Sequence, residues 1–127
     1  MYVYFNDNPV GSRVGDCAVR AISKALDISW EDAYAKLVVN GFRMADMPSS
    51  NNVIASVLRM HGFRREAIPN SCPECYTIKD FVEDHPKGTY IVGTGNHVVA
   101  VVDGRYYDSW NSGDEVPIYY WHRKDET

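Results

Sequence analysis

The segment Gly95-Asn96-His97-Val98-Val99-Ala100-Val101-Val102-Asp103-Gly104-Arg105-Tyr106-Tyr107-Asp108-Ser109-Trp110 decides how the last third of this chain folds. Two β-branched and aromatic runs flank Asp103-Gly104, the preferred dipeptide of a two-residue type I′ hairpin turn. A turn of that kind fixes register. With Asp103 and Gly104 as the loop, Val102 opposes Arg105, Val99 opposes Asp108 and His97 opposes Trp110, so His97, Asp108 and Trp110 share one face. Diagonal neighbours across a hairpin sit roughly 7–8 Å apart at the backbone, within reach of an imidazole and a carboxylate that lean together. An indole opposite the histidine would shield that hydrogen bond from water.

Outward from the hairpin, Thr89 to Thr94 and Val116 to Trp121 have the same strand-forming composition and complete a predicted antiparallel sheet. Upstream the period changes. Ala18, Ala21, Ile22, Ala25 and Leu26 repeat at helical spacing, placing a helix start near Cys17. Ser29 followed by Asp32 reads as a capping box for a second helix carrying Trp30, Ala33, Tyr34, Leu37 and Val38, with Gly41 as its stop. Ser50 caps a third helix that Gly62 ends, and Thr77 caps a short fourth that stops before Pro86. Helices first and strands afterwards predict an α+β fold, with N-terminal helices packed on a C-terminal antiparallel sheet.

The 127 residues, 45% of them hydrophobic, suffice for one core and are short for two, so residues 1–127 read as a single domain. Thirteen Lys plus Arg against seventeen Asp plus Glu form no single-sign run, which argues against nucleic acid and a membrane surface as partners. No apolar stretch approaches the roughly 20 residues that span a bilayer, and the opening Met1-Tyr2-Val3-Tyr4-Phe5-Asn6 lacks the features of a secretory signal. A soluble, cytoplasmic protein is expected. Its three cysteines are an odd number, which disfavours a disulfide framework and favours free thiols or a metal site.

Gly15-Asp16-Cys17-Ala18 places a thiol in the first turn of a helix, where unpaired N–H groups and the positive end of the macrodipole favour the thiolate. The same N–H groups can donate to an oxyanion formed by attack on a carbonyl. Asn96-His97-Val98-Val99-Ala100-Val101-Val102 resembles the histidine strand of papain-like cysteine peptidases, and Asp108-Ser109-Trp110 resembles that family's Asn-Ser-Trp motif. The order cysteine, histidine, aspartate is also similar, and the size resembles the compact bacterial or phage members that carry Asp in place of Asn. The resemblance implies a papain-like fold and a triad of Cys17 as nucleophile, His97 as proton carrier and Asp108 as its orienting group. It implies a peptide or protein substrate and no cofactor.

The motifs cover the last third of the chain and the first helix turn, and this sequence departs from the pattern elsewhere. The Cys-Gly-Ser-Cys-Trp signature is absent, and Gly11 stands six residues before Cys17, where no glutamine offers an oxyanion donor. Asn8, or else Asn6, is the expected substitute, with Trp110 as a supporting group. Two rivals share the residues: a transglutaminase-like acyltransferase, and a catalytically silent binding module that retains the fold. Cys72-Pro73-Glu74-Cys75, with His61 and His85 eleven and ten residues away, matches no common zinc spacing, so no metal site is expected and the pair reads as loop thiols. Arg20, one turn after Cys17, reads as solvated or salt-bridged, or as electrostatic support for a thiolate.

Overall fold

A computed structural model describes residues 1–70 and 73–123. In chain order the elements are β1 (Tyr2–Tyr4), α1 (Cys17–Leu26), α2 (Trp30–Met44), α3 (Asn51–Met60), β2 (Phe63–Ala67), α4 (Ile78–Asp84), β3 (Thr89–Gly93), β4 (Val98–Val102), β5 (Arg105–Asp108) and β6 (Tyr119–Arg123). The class is α+β. The strands form one sheet in the order β1-β5-β4-β3-β6-β2.

Capping chemistry sets the helix starts. The hydroxyls of Ser29 and Ser50 accept from the backbone N–H groups of Asp32 and Val53, and Thr77 makes a full capping box with Asp80. Gly41 does not stop α2, which runs on to Met44 and closes with Ala45 at φ 55°. The glycine serves packing instead: a Cβ there would lie 2.8 Å from the Asp46 carbonyl oxygen, where the chain doubles back. The expected apolar face of α2 is only partly buried. Ala33 and Leu37 are in the core, whereas Tyr34 and Val38 are 48% and 38% exposed.

The predicted sheet is corrected in three respects. Two of its strands come from the mainly helical part of the chain before Gly88, β1 pairs parallel with β5, and the last strand begins at Tyr119, three residues after Val116. The sheet is therefore mixed, and its N-terminal contributions are edge strands. Both faces are covered. Residues of α1, α2 and α3 pack with Ile91, Val98 and Trp121 on one side, while Ile78, Phe81 and Val82 of α4 pack with Val92, Val99 and Val101 on the other. Double coverage explains why β4 is apolar throughout instead of alternating. Helix α1 lies along β4, which brings the start of α1 to the mouth of the β4–β5 hairpin.

That hairpin has the predicted register. Val102 pairs with Arg105, Val101 with Tyr106 and Ala100 with Tyr107. Asp103 at φ 49° and Gly104 at φ 78° occupy the left-handed conformations that a two-residue type I′ turn requires.

Candidate active site

Cys17 is the first residue of α1 and Asp16 is its N-cap. An aspartate at this position ordinarily uses its carboxylate to cap the helix, but Asp16 makes no side-chain cap bond. Its oxygens are taken by Arg20 and by Trp30, whose Nε1–H donates across 2.9 Å. The first-turn N–H groups, which have no intrahelical acceptors, thus receive no cap from the residue best placed to supply one.

His97 lies just before β4 and Asp108 ends β5. His97 Nε2–H donates to Asp108 Oδ2 at 2.7 Å, and the His97 ring lies 5.0 Å from the Trp110 ring. The remaining ring nitrogen, Nδ1, is the one left to act on Cys17, which lines the same cleft as His97. Cys17, His97, Asp108 and Trp110 are therefore brought together. Cys17, His97 and Trp110 line a cleft of about 480 Å³, whose other walls include Arg13, Gly15, Ser49 and Asn96.

Asn8 is not brought to this cleft. Its Oδ1 accepts from the N–H groups of Val10 and Ser12, so its side chain organises a turn, and it lines a neighbouring hollow instead. Asn6 is likewise engaged, donating to the Ser12 carbonyl. The group at the cleft that fits an oxyanion is the uncapped start of α1, led by the Cys17 N–H.

Electrostatics couple the three residues. Burial pushes the Cys17 thiol up, but the hydrogen bond with His97, the Val98 N–H and the charges of His97 and Arg20 outweigh it and hold the thiol below its ordinary value. Burial pushes His97 down, yet Asp108 and Cys17 outweigh it and raise the imidazole to about 9. Asp108 is held below the usual carboxylate value: burial alone would raise it, and hydrogen bonds from His97 and Ser112 prevail. Both shifts favour a thiolate beside an imidazolium over the neutral pair.

Two further donors to Asp108 carry no signal in the sequence, and a third comes from Arg20. Ser112 donates its hydroxyl to Asp108 Oδ2 at 2.6 Å, and the Ser109 N–H donates to Oδ1 at 2.8 Å. Arg20 is salt-bridged and not solvated: it is 5% exposed and bridges Asp16 to Asp108, with Nη2 at 3.1 Å from Asp108 Oδ1. The signal available in the sequence was its position. Arg20 lies within a helix whose neighbours Ala18, Val19, Ala21 and Ile22 are all apolar, four residues after an aspartate, so burial required an anionic partner.

Arg20→Met is expected to destabilise the fold by about 3–5 kcal/mol, because it leaves two buried carboxylates without their shared cation. Urea unfolding measures it, and a loss below about 1 kcal/mol would show that the carboxylates do not depend on Arg20.

The other cysteines stand apart. Cys75 is disulfide-bonded and Cys17 is free, which corrects the expectation of free loop thiols: an odd count leaves room for one bridge and one thiol. Cys72 lies outside the described residues. His85 Nδ1–H donates to the Phe81 carbonyl at 2.8 Å and its ring stacks on Phe81, while His61 caps the C-terminus of α3. Among the described residues no group of three or more His, Cys, Asp or Glu side chains is arranged to hold a metal ion, and no helix is long and apolar enough to cross a membrane. Comparison of the chain with protein-family models, with curated proteins and with solved structures finds no match.

Proposed function

We propose that this protein is a papain-like cysteine hydrolase that cleaves a peptide or isopeptide bond through Cys17, His97 and Asp108. One observation carries the reading: a free cysteine at an uncapped helix start lines the same cleft as a histidine whose Nε2–H is held at 2.7 Å by a buried aspartate. Burial of that aspartate, at 1% exposure, keeps the orienting bond out of competition with water.

In this mechanism the Cys17 thiolate attacks the substrate carbonyl carbon, forming a C–S bond while the carbonyl π electrons move onto oxygen. The oxyanion faces the first-turn N–H groups of α1. Collapse breaks the C–N bond, and the departing amine takes the proton from His97 Nδ1, leaving a thioester. Water then loses a proton to His97 as it attacks the thioester, and the C–S bond breaks to release the acid and restore the thiolate. Asp108 holds the ring throughout and is not itself protonated.

The cysteine-histidine-aspartate arrangement serves acyl transfer as well as hydrolysis, and products separate the two. Incubation with a mixed peptide library, with and without an added primary amine, is expected to give free carboxylates in both cases. Cys17→Ala is expected to give none. Amine-capped products alone would move the reading to an acyltransferase. No product from the wild-type chain under either condition would leave the binding-module reading.

A further inference from the structure

Strand β2 ends the strand order: among the described residues it pairs with β6 on one side and with no strand on the other. Its register divides the side chains. Phe63 and Arg65 share a face with Trp121 and Arg123, whereas Arg64 and Glu66 share the opposite face with His122. A hollow of about 380 Å³ is nevertheless lined by Arg64 and Arg65 together, with Phe63 and with Arg59 of α3. Successive residues of a strand point to opposite faces, so a hollow that both arginines touch lies along the strand's open edge. The backbone N–H and C=O groups that turn outward from β2 face the same way.

This edge is cationic and its charge is uncompensated. Arg59, Arg64 and Arg65 are exposed, and among the described residues neither they nor Arg123 meet a carboxylate. Rings hold three of these guanidinium groups instead: Arg59 lies 5.4 Å from the Trp121 ring, Arg65 4.5 Å from Tyr119 and Arg123 5.1 Å from Phe63. A ring face fixes a guanidinium plane and leaves its N–H donors for another acceptor. Glu66, the one acid of β2, points to the other face, 3.0 Å from His122 Nε2. In a chain of net charge -4, this edge is a local inversion of sign.

Charge on an edge strand keeps copies of the same chain apart, and a second copy here would set Arg64 and Arg65 against their own kind. An acidic strand meets no such repulsion. Single-stranded nucleic acid, the other extended polyanion, stacks its bases on exposed rings, but the rings under these arginines are buried: Phe63 and Trp121 are 2% exposed and Tyr119 5%. We propose that the β2 edge is a docking site for an extended acidic segment of a partner protein. The segment adds to the sheet beside β2 and sets Asp or Glu side chains against Arg59, Arg64 and Arg65. Main-chain bonds hold such a strand, and the arginines select its charge. Neither Cys17 nor His97 lines this hollow, so docking is separable from the chemistry of the cleft.

Short fluorescein-labelled peptides that alternate Val with Glu, Gln or Lys test this, titrated by anisotropy against the full chain carrying Cys17→Ala to prevent cleavage. The Glu peptide is expected to bind about tenfold or more tightly than the Gln and Lys peptides, and to weaken as salt rises. Arg64→Glu and Arg65→Glu are each expected to weaken it by about tenfold. Hydrogen exchange at the β2 amides should slow in the complex. Full N-methylation of the Glu peptide keeps its charge and removes its N–H donors, and it is expected to lower affinity by about tenfold. Equal affinity for the three peptides, undiminished binding of the N-methylated peptide, or unchanged binding in both arginine variants would overturn the proposal. Tighter binding of a single-stranded oligothymidylate than of the Glu peptide would also overturn it, by assigning the edge to nucleic acid.

Discussion

Asp108→Ala is expected to lower kcat by about 1,000-fold or more while KM moves only a few-fold, because the lost carboxylate orients the base and does not touch substrate. Steady-state kinetics on any cleaved peptide checks this, with thermal melting to confirm that the variant is folded. The resemblance to enzymes with asparagine at this place suggests that Asp108→Asn should be mild, but the surroundings argue otherwise. Oδ2 accepts from His97 and Ser112, and Oδ1 accepts from Arg20 and the Ser109 N–H. Four donors converge on one carboxylate. An amide would turn its own N–H2 toward two of them and leave Arg20 with Asp16 alone, so Asp108→Asn is expected to lose stability as well as turnover. Retention of near-normal kcat in Asp108→Ala would contradict the orienting role.

The second large effect is on pH dependence. With the Cys17 thiol lowered and His97 raised to about 9, both shifts favour the thiolate–imidazolium pair. Lowering the pH through the acid limb protonates the thiolate and removes the nucleophile. Raising it through about 9 removes the His97 proton that the leaving amine requires. A bell-shaped kcat/KM profile is expected, whereas alkylation by iodoacetamide, which needs no proton donor, should lack the alkaline fall. His97→Ala removes the largest of the influences that hold the thiol down, leaving only the Val98 N–H and Arg20 to oppose burial, so the thiol rises. Each unit of rise lowers thiolate at neutral pH about tenfold. A hydrolysis profile that keeps rising well past 9 would rule out His97 as the proton donor.

How much of this was legible in the sequence varied with the locality of the signal. The β4–β5 hairpin was readable because Asp103-Gly104 specifies both a turn type and a register, and the register brought His97 to Asp108. Helices α1, α3 and α4 were readable from caps and period. Strand β2, Phe-Arg-Arg-Glu-Ala, was not: an edge strand needs only one buried side chain here, Phe63, and its charges mask any alternation. Strand β1 is three residues long and gains its identity from β5, more than a hundred positions away. The donors around Asp108 come from α1, from the following loop and from His97, and no local pattern joins them. Asn8 is near the helix in sequence, but its side chain is committed to the backbone of its own turn, which sequence distance does not reveal.

The central claim is that His97 activates Cys17, and alkylation at mildly acidic pH tests it most directly. Native protein treated with iodoacetamide and mapped by mass spectrometry is expected to carry its first adduct on Cys17. The rate should fall by at least about tenfold in His97→Ala, as the thiolate fraction drops. A Cys17 that stays inert while another cysteine reacts, or one that reacts equally fast without His97, would contradict the account.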